Sequence, residues 1–191
     1  MNHRAALLGL STSLIAAVLL GACSGGGSSS NSQQDVKPAG DIPDTQAYIV
    51  YSSPSGYTLK VPEGWSQTAT PGGVVFADNL NALRVEAMPT PSAADAASVR
   101  SSELASLGAS VPGFQLEAIQ TVTRSAGPAV LLRYRADGPP NPVTAKRPRL
   151  EVQRYEFWRN GLRVAMTLSS PVTADNVDPW RIITNSFAWR A

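Results

Sequence analysis

Two side chains in this 191-residue chain could serve as a strong nucleophile or a soft metal ligand, His3 and Cys23, and each is the single residue of its type. A histidine-activated serine or cysteine, or a zinc site built from His and Cys, needs several such groups brought together. One thiol and one imidazole near the N-terminus supply neither, and one cysteine cannot close an intramolecular disulfide. There is no phosphate-cradling glycine loop and no G-x-S-x-G elbow. Paired carboxylates could still divide the roles of acid and base if their environments differed. Asp175 and Asp178 are close in sequence, but a helix start draws acids to its positive end. Glu151 and Glu156 fall on opposite faces of one predicted strand and cannot act together directly. The expectation is a protein that is not an enzyme and carries no cofactor and no metal.

The chemistry that the spacing does support is acylation of the thiol. Arg4 gives a basic start, residues 5–20 are almost wholly apolar, and Leu20, Gly21, Ala22 and Cys23 follow in order. The apolar run is short for a transmembrane helix, which needs roughly 20 such residues. Ser24, Gly25, Gly26, Gly27 and three more serines come next. The Leu20-Gly21-Ala22-Cys23 tetrad resembles the bacterial lipobox, in which a bulky aliphatic and two small residues precede a cysteine that receives a diacylglycerol thioether. That resemblance implies a signal peptide over residues 1–22, cleavage before Cys23, and a lipid anchor facing out of the cytoplasm in the cell membrane or the outer membrane. Each buried acyl methylene contributes about 0.8 kcal/mol, and two chains on one cysteine make the attachment stable. Cleavage would also remove His3 and Arg4, lowering the formal net charge from +2 to +1. A near-neutral domain has no electrostatic reason to bind nucleic acid.

The remaining chain must position whatever the anchor carries. Residues 23–44 comprise Cys23 and a Gly-, Ser-, Asn-, Gln- and Pro-rich stretch expected to be a flexible tether. Residues 45–191 suffice for one domain. Alternating patterns predict strands over 48–52 and 57–61, 74–77 and 83–88, 114–123 and 128–135, and 150–158 and 162–168. Asn160-Gly161 marks a type I′ turn in the last pair. Arg84 and Glu86 fall on the other face of their strand from Leu83, Val85 and Ala87, at a solvated or rim position. Ser92, Ala93, Ala94 and Asp95 suggest a capping box for a helix that runs to Leu107 and ends at Gly108. Asp178 followed by Pro179 suggests the cap of a last helix, with Trp180, Ile183 and Phe187 facing the sheet. The sum is an α+β fold, an antiparallel sheet of about six or seven strands packed with two helices.

Gly56-Tyr57, Pro62-Glu63-Gly64-Trp65, Val75-Phe76 and Arg84-Val85 near the start of this domain, with Trp180 and Ser186-Phe187 near its end, resemble the PsbP/Mog1-like superfamily. The resemblance spans residues 48 to 189 and implies an α/β/α sandwich. Many bacterial members are envelope lipoproteins, which agrees with the tetrad. Members in photosynthetic organisms assist the oxygen-evolving photosystem and nuclear ones bind a small GTPase, but the surface residues and tails behind those roles have no match here. Trp65 and Trp180 read as core anchors, since a Pro-x-Gly-Trp turn folds a large aromatic over a sheet edge.

Two functions remain open at this level. One is a non-catalytic binding or assembly domain that engages an envelope protein. The other is a carrier of a small apolar or lipid-like ligand in a groove lined by Leu162, Val164, Trp180 and Ile183, residues that would equally fill an ordinary core. The proline-rich segment 138–149, with Lys146, Arg147 and Arg149, reads first as a stiff connection between strands. Its second reading is an exposed basic loop that touches a partner or anionic headgroups, where each cation is worth about 1 kcal/mol.

Overall fold

Every second residue of the 162–168 stretch faces the same way, and the fold buries that side: Val164, Met166 and Leu168 are at most 1% exposed. At about 1.5–3 kcal/mol for each fully buried aliphatic side chain, such a face outweighs any single polar contact. The computed structural model describes residues 38 to 190. The expected signal peptide over residues 1–22, the lipobox-like Leu20, Gly21, Ala22 and Cys23, and residues 24–37 of the expected tether lie outside the described residues.

In chain order the elements are β1 (Tyr48–Ser53), β2 (Tyr57–Pro62), β3 (Ser66–Thr70), β4 (Gly73–Asp78), β5 (Asn81–Pro89), α1 (Ala96–Ser102) and α2 (Leu104–Ser110). Then come β6 (Gln115–Arg124), β7 (Gly127–Asp137), β8 (Arg149–Arg159), β9 (Leu162–Pro171), α3 (Val177–Ser186) and β10 (Ala188–Trp189). A seven-stranded sheet runs β3-β4-β5-β9-β8-β7-β6, and a three-stranded sheet runs β1-β2-β10. Every pairing is antiparallel. The β8–β9 hairpin closes as expected: Asn160 (φ 49°) and Gly161 (φ 79°) both take the left-handed conformation that a type I′ turn demands.

Alternation divides the large sheet into two buried faces. Phe76, Val85, Leu131, Phe157 and Met166 on one face pack against Tyr57, Leu59 and Val61 of β2 and against Trp180, Ile183 and Phe187. Phe187 sits at the centre, stacked on Phe157 at 4.3 Å and set edge-on to Trp189 at 5.1 Å. On the other face Val130, Leu132, Tyr134 and Val152 pack beneath Val99, Leu104 and Leu107 of the helix pair. The result is an α+β sandwich in which the second outer layer combines α3 with the small sheet.

Several local expectations are revised. The middle helix is two, divided at Glu103. Its cap is Asp95 rather than Ser92: the Asp95 carboxylate accepts the Ser98 N–H at 2.7 Å, and the Ser98 hydroxyl accepts the Asp95 N–H at 2.9 Å. Gly108 lies inside α2 instead of ending it. α3 begins after Asn176, so Asp178 stands in the first turn and not at the cap. β3 is nearly all exposed and polar, an edge strand defined by its pairing to β4 and not by any alternation of its own. The tether expected to reach residue 44 is docked before its end, because Ile42 is 5% exposed and donates its N–H to Asn176 Oδ1 at 2.8 Å. Trp180 is buried as a core anchor, while Trp65 is half-buried at the rim.

Candidate functional site

On the outward side of the small sheet, alternation leaves Val50 opposite Lys60 and Ser52 opposite Thr58. β10 pairs only with Tyr57 and Thr58, so the β2 edge beyond them meets α3 instead of a strand. Ser186 fastens that junction: its hydroxyl accepts the Lys60 N–H at 2.7 Å and donates to the Ile183 carbonyl at 2.6 Å. Between α3 and β2 a groove of about 490 Å³ is lined by Val50, Thr58, Leu59, Lys60, Arg181, Ile182, Asn185 and Ser186. Val50 is 66% exposed and Ile182 41%. The Lys60 ammonium has no ion-pair partner among the described residues, and Arg181 holds only the solvent-exposed Asp178 at 2.9 Å. An exposed pair of that kind is screened and contributes at most about 1 kcal/mol, so Arg181 is available to a ligand. The arrangement offers two cations, hydroxyl and amide groups, and apolar ends. It can hold a carboxylate flanked by apolar side chains.

A second cluster lies where the helix pair meets the sheet. Glu156 is 4% exposed, and it accepts from Arg154 Nε at 2.9 Å and Arg163 Nη1 at 3.4 Å. Glu103, at the junction of α1 and α2, bonds to Arg163 and lies 4.0 Å from Arg154. Glu86 is half-buried at the rim, 3.3 Å from Arg84 and 3.8 Å from Arg154. Burial pushes the Glu156 carboxyl above its ordinary pKa, against the pull of Arg154, and the Glu103 charge and hydrogen bond push it the same way. Arg163 acts in the opposite sense. The carboxylates and guanidiniums pair with one another, only the buried Arg163 Nε among them being left without a hydrogen-bond partner, and the cluster pins the helix pair to the sheet. Among the described residues no set of three Asp, Glu, His or Cys side chains is placed to hold a metal ion.

The residues singled out from sequence fare differently. Lys146 and Arg147 lie in the β7–β8 connection and are exposed, whereas Arg149 is half-buried at the start of β8. Arg147 donates to the Gly138 carbonyl at 2.9 Å. Arg149 is paired with Asp137 at 2.9 Å and donates to the Gly113 carbonyl at 2.7 Å. The segment is therefore a braced connection in which Arg149 is committed to the fold, while Lys146 and Arg147 stay at the surface. The groove imagined for a carrier is filled: Val164, Trp180 and Ile183 are core residues at 0%, 5% and 0% exposure, with Leu162 packed at their margin. Sequence reasoning missed the groove on α3 and β2. Its trace was present, since Val50 and Ile182 are apolar residues out of phase with their inward neighbours Tyr51 and Ile183. It missed the Glu156 cluster too, whose trace is Arg154, Glu156 and Arg163 at consistent parity on paired strands.

No protein-family model matches this sequence, and no curated protein matches it at the sequence level. Solved structures do match. The cyanobacterial PsbP protein (CyanoP) of Synechocystis shares 19% identity over 80% of this chain and 99% of its own, with a TM-score of 0.53. LpqN, described as involved in cell envelope biogenesis of Mycobacterium tuberculosis, shares 17% identity over 76% of this chain and 91% of its own, with a TM-score of 0.45. A Bacteroides thetaiotaomicron protein shares 10% identity over 74% of this chain and 48% of its own, with a TM-score of 0.47. The class defined by the architecture is an α+β sandwich with an antiparallel central sheet. Its particular form is the PsbP fold, as the sequence resemblance implied.

Proposed function

We propose that this protein is a lipid-anchored envelope lipoprotein whose PsbP-like domain is a non-catalytic binding module. It is held at the membrane by acyl chains on Cys23 and engages an envelope protein through the groove between α3 and β2. The observation that carries the binding role is the groove itself, which Lys60 and Arg181 line together with the exposed Val50 and Ile182. A partner segment with a carboxylate between apolar side chains complements it. Desolvated contacts at Val50 and Ile182 would supply the apolar part of the affinity, and the two cations would set orientation and on-rate. The tetrad at Leu20 to Cys23 supports the anchor. No helix among the described residues is long and apolar enough to cross a membrane.

A photo-crosslinking amino acid placed at Val50 and, separately, at Ile182 in cells tests the binding role. The expected result is one envelope protein captured from both positions, with capture lost when Lys60 and Arg181 are both changed to Glu. Capture that differs between the positions, or that survives the charge reversal, contradicts it.

A further inference from the structure

The tether enters the domain at one end of the large sheet. The Asn176 side-chain amide donates to the Gly40 carbonyl at 2.9 Å and its oxygen receives the Ile42 N–H, while Gly40 itself lies against Pro171 at the end of β9. Pro171 pairs with Leu150, the Val172 N–H donates to the Arg149 carbonyl at 3.0 Å, and Asp137 pairs with Arg149. The β7–β8 connection thus emerges at the same end, about 10 Å across two strand spacings from the tether contact. That end also concentrates exposed apolar side chains: Val143 in the connection is 90% exposed, with Leu80 at 40%, Val172 at 40% and Val177 at 70%. Lys146 and Arg147 stand beside Val143 in the chain.

We infer that this end is a membrane-docking surface, with Val143 inserted among lipid headgroups and Lys146 and Arg147 set against anionic phosphates. The inference rests on the reading of Cys23 as the lipid anchor. Residues 24–37 could reach no more than about 50 Å even if fully extended, so an anchor at Cys23 keeps the tether entry within that distance of the bilayer. Tethering raises the local concentration of bilayer seen by a weak docking site, so one apolar contact and two cations suffice where they would not hold a free protein. Carboxylates are present at the same end. Asp137 is neutralised by Arg149, and Asp41, Asp44, Asp78 and Asp175 lie around the tether entry, the β4–β5 turn and the approach to α3. An anionic surface repels those four, which tilts the domain onto its β7–β8 side.

The test uses the mature lipidated full-length protein with Val143→Cys, labelled with an environment-sensitive fluorophore and mixed with phosphatidylcholine–phosphatidylglycerol vesicles. A parallel variant carries the label at Asn160→Cys in the β8–β9 turn, at the other end of the sheet. The expected result is co-flotation of both, with a blue shift and a severalfold loss of aqueous quencher access at position 143 alone. Changing Lys146 and Arg147 to Gln should lower the docked population on the order of tenfold. Co-flotation with no shift at 143, or with equal shifts at both positions, overturns docking while leaving the anchor intact. Failure to co-float, with Cys23 itself labelled, overturns the anchor.

Discussion

Glu156 shows how a single residue acquires its character from the fold. Its neighbours in sequence, Tyr155 and Phe157, point into the main core, and Glu156 points to the other face, where Arg154, Arg163 and Glu103 surround it. Because its folded pKa is raised, the folded state holds a proton more readily than the unfolded chain. The contribution from this group is therefore fully present below the ordinary glutamate pKa and is lost as pH rises through the raised folded value. Glu156→Gln should flatten that part of the stability–pH profile in denaturant titrations. Glu156→Ala should cost about 2–4 kcal/mol near neutral pH, because both guanidiniums lose a buried partner. At this scale the sequence was legible where chemistry is local: the exchange of hydrogen bonds between Asp95 and Ser98 that starts α1 lies within four consecutive residues, just after the predicted Ser92 cap. Glu156 was not legible, since its burial depends on Glu103 arriving from a helix junction 53 positions away in the chain.

Among elements, the strands were readable where side-chain alternation and turn chemistry agree. The β8–β9 hairpin is fixed by both Asn160-Gly161 and an unbroken inward row, and Gly161→Val should lower stability by roughly 1–2 kcal/mol through backbone strain at positive φ. β3 was invisible because its residues Ser66 to Ala69 are all exposed and only β4 defines it. The helix division at Glu103 was hidden for a related reason: alanine and leucine favour helix on either side of it, and the side chain at the break is held by an arginine on the sheet. Phe187, expected to face the sheet, does so, and its neighbour Ser186 has a structural part that the sequence reading did not assign. Ser186 closes the β2 edge and Phe187 fills the space between the sheets. Phe187→Ala should cost about 3–5 kcal/mol, measured by thermal or denaturant unfolding, with the far-ultraviolet spectrum of the remaining folded protein little changed.

For the molecule as a whole, the two outer layers have different tasks. The α1–α2 layer is locked to the sheet by an apolar cluster and by the Glu103–Arg163 contact, which leaves it little freedom to act as a lid. The α3 layer carries the open groove, and the sheet end beneath it receives the tether. On the proposed reading, the groove lies on the flank of the domain and the apolar, basic loop at its base, so that the domain would present a binding surface beside a membrane. The proposed placement beside a membrane depends on acylation at Cys23, so metabolic labelling with a clickable palmitate analogue tests it most directly. The account predicts a labelled protein in the wild type and no label in Cys23→Ala. Equal labelling of the two would contradict it.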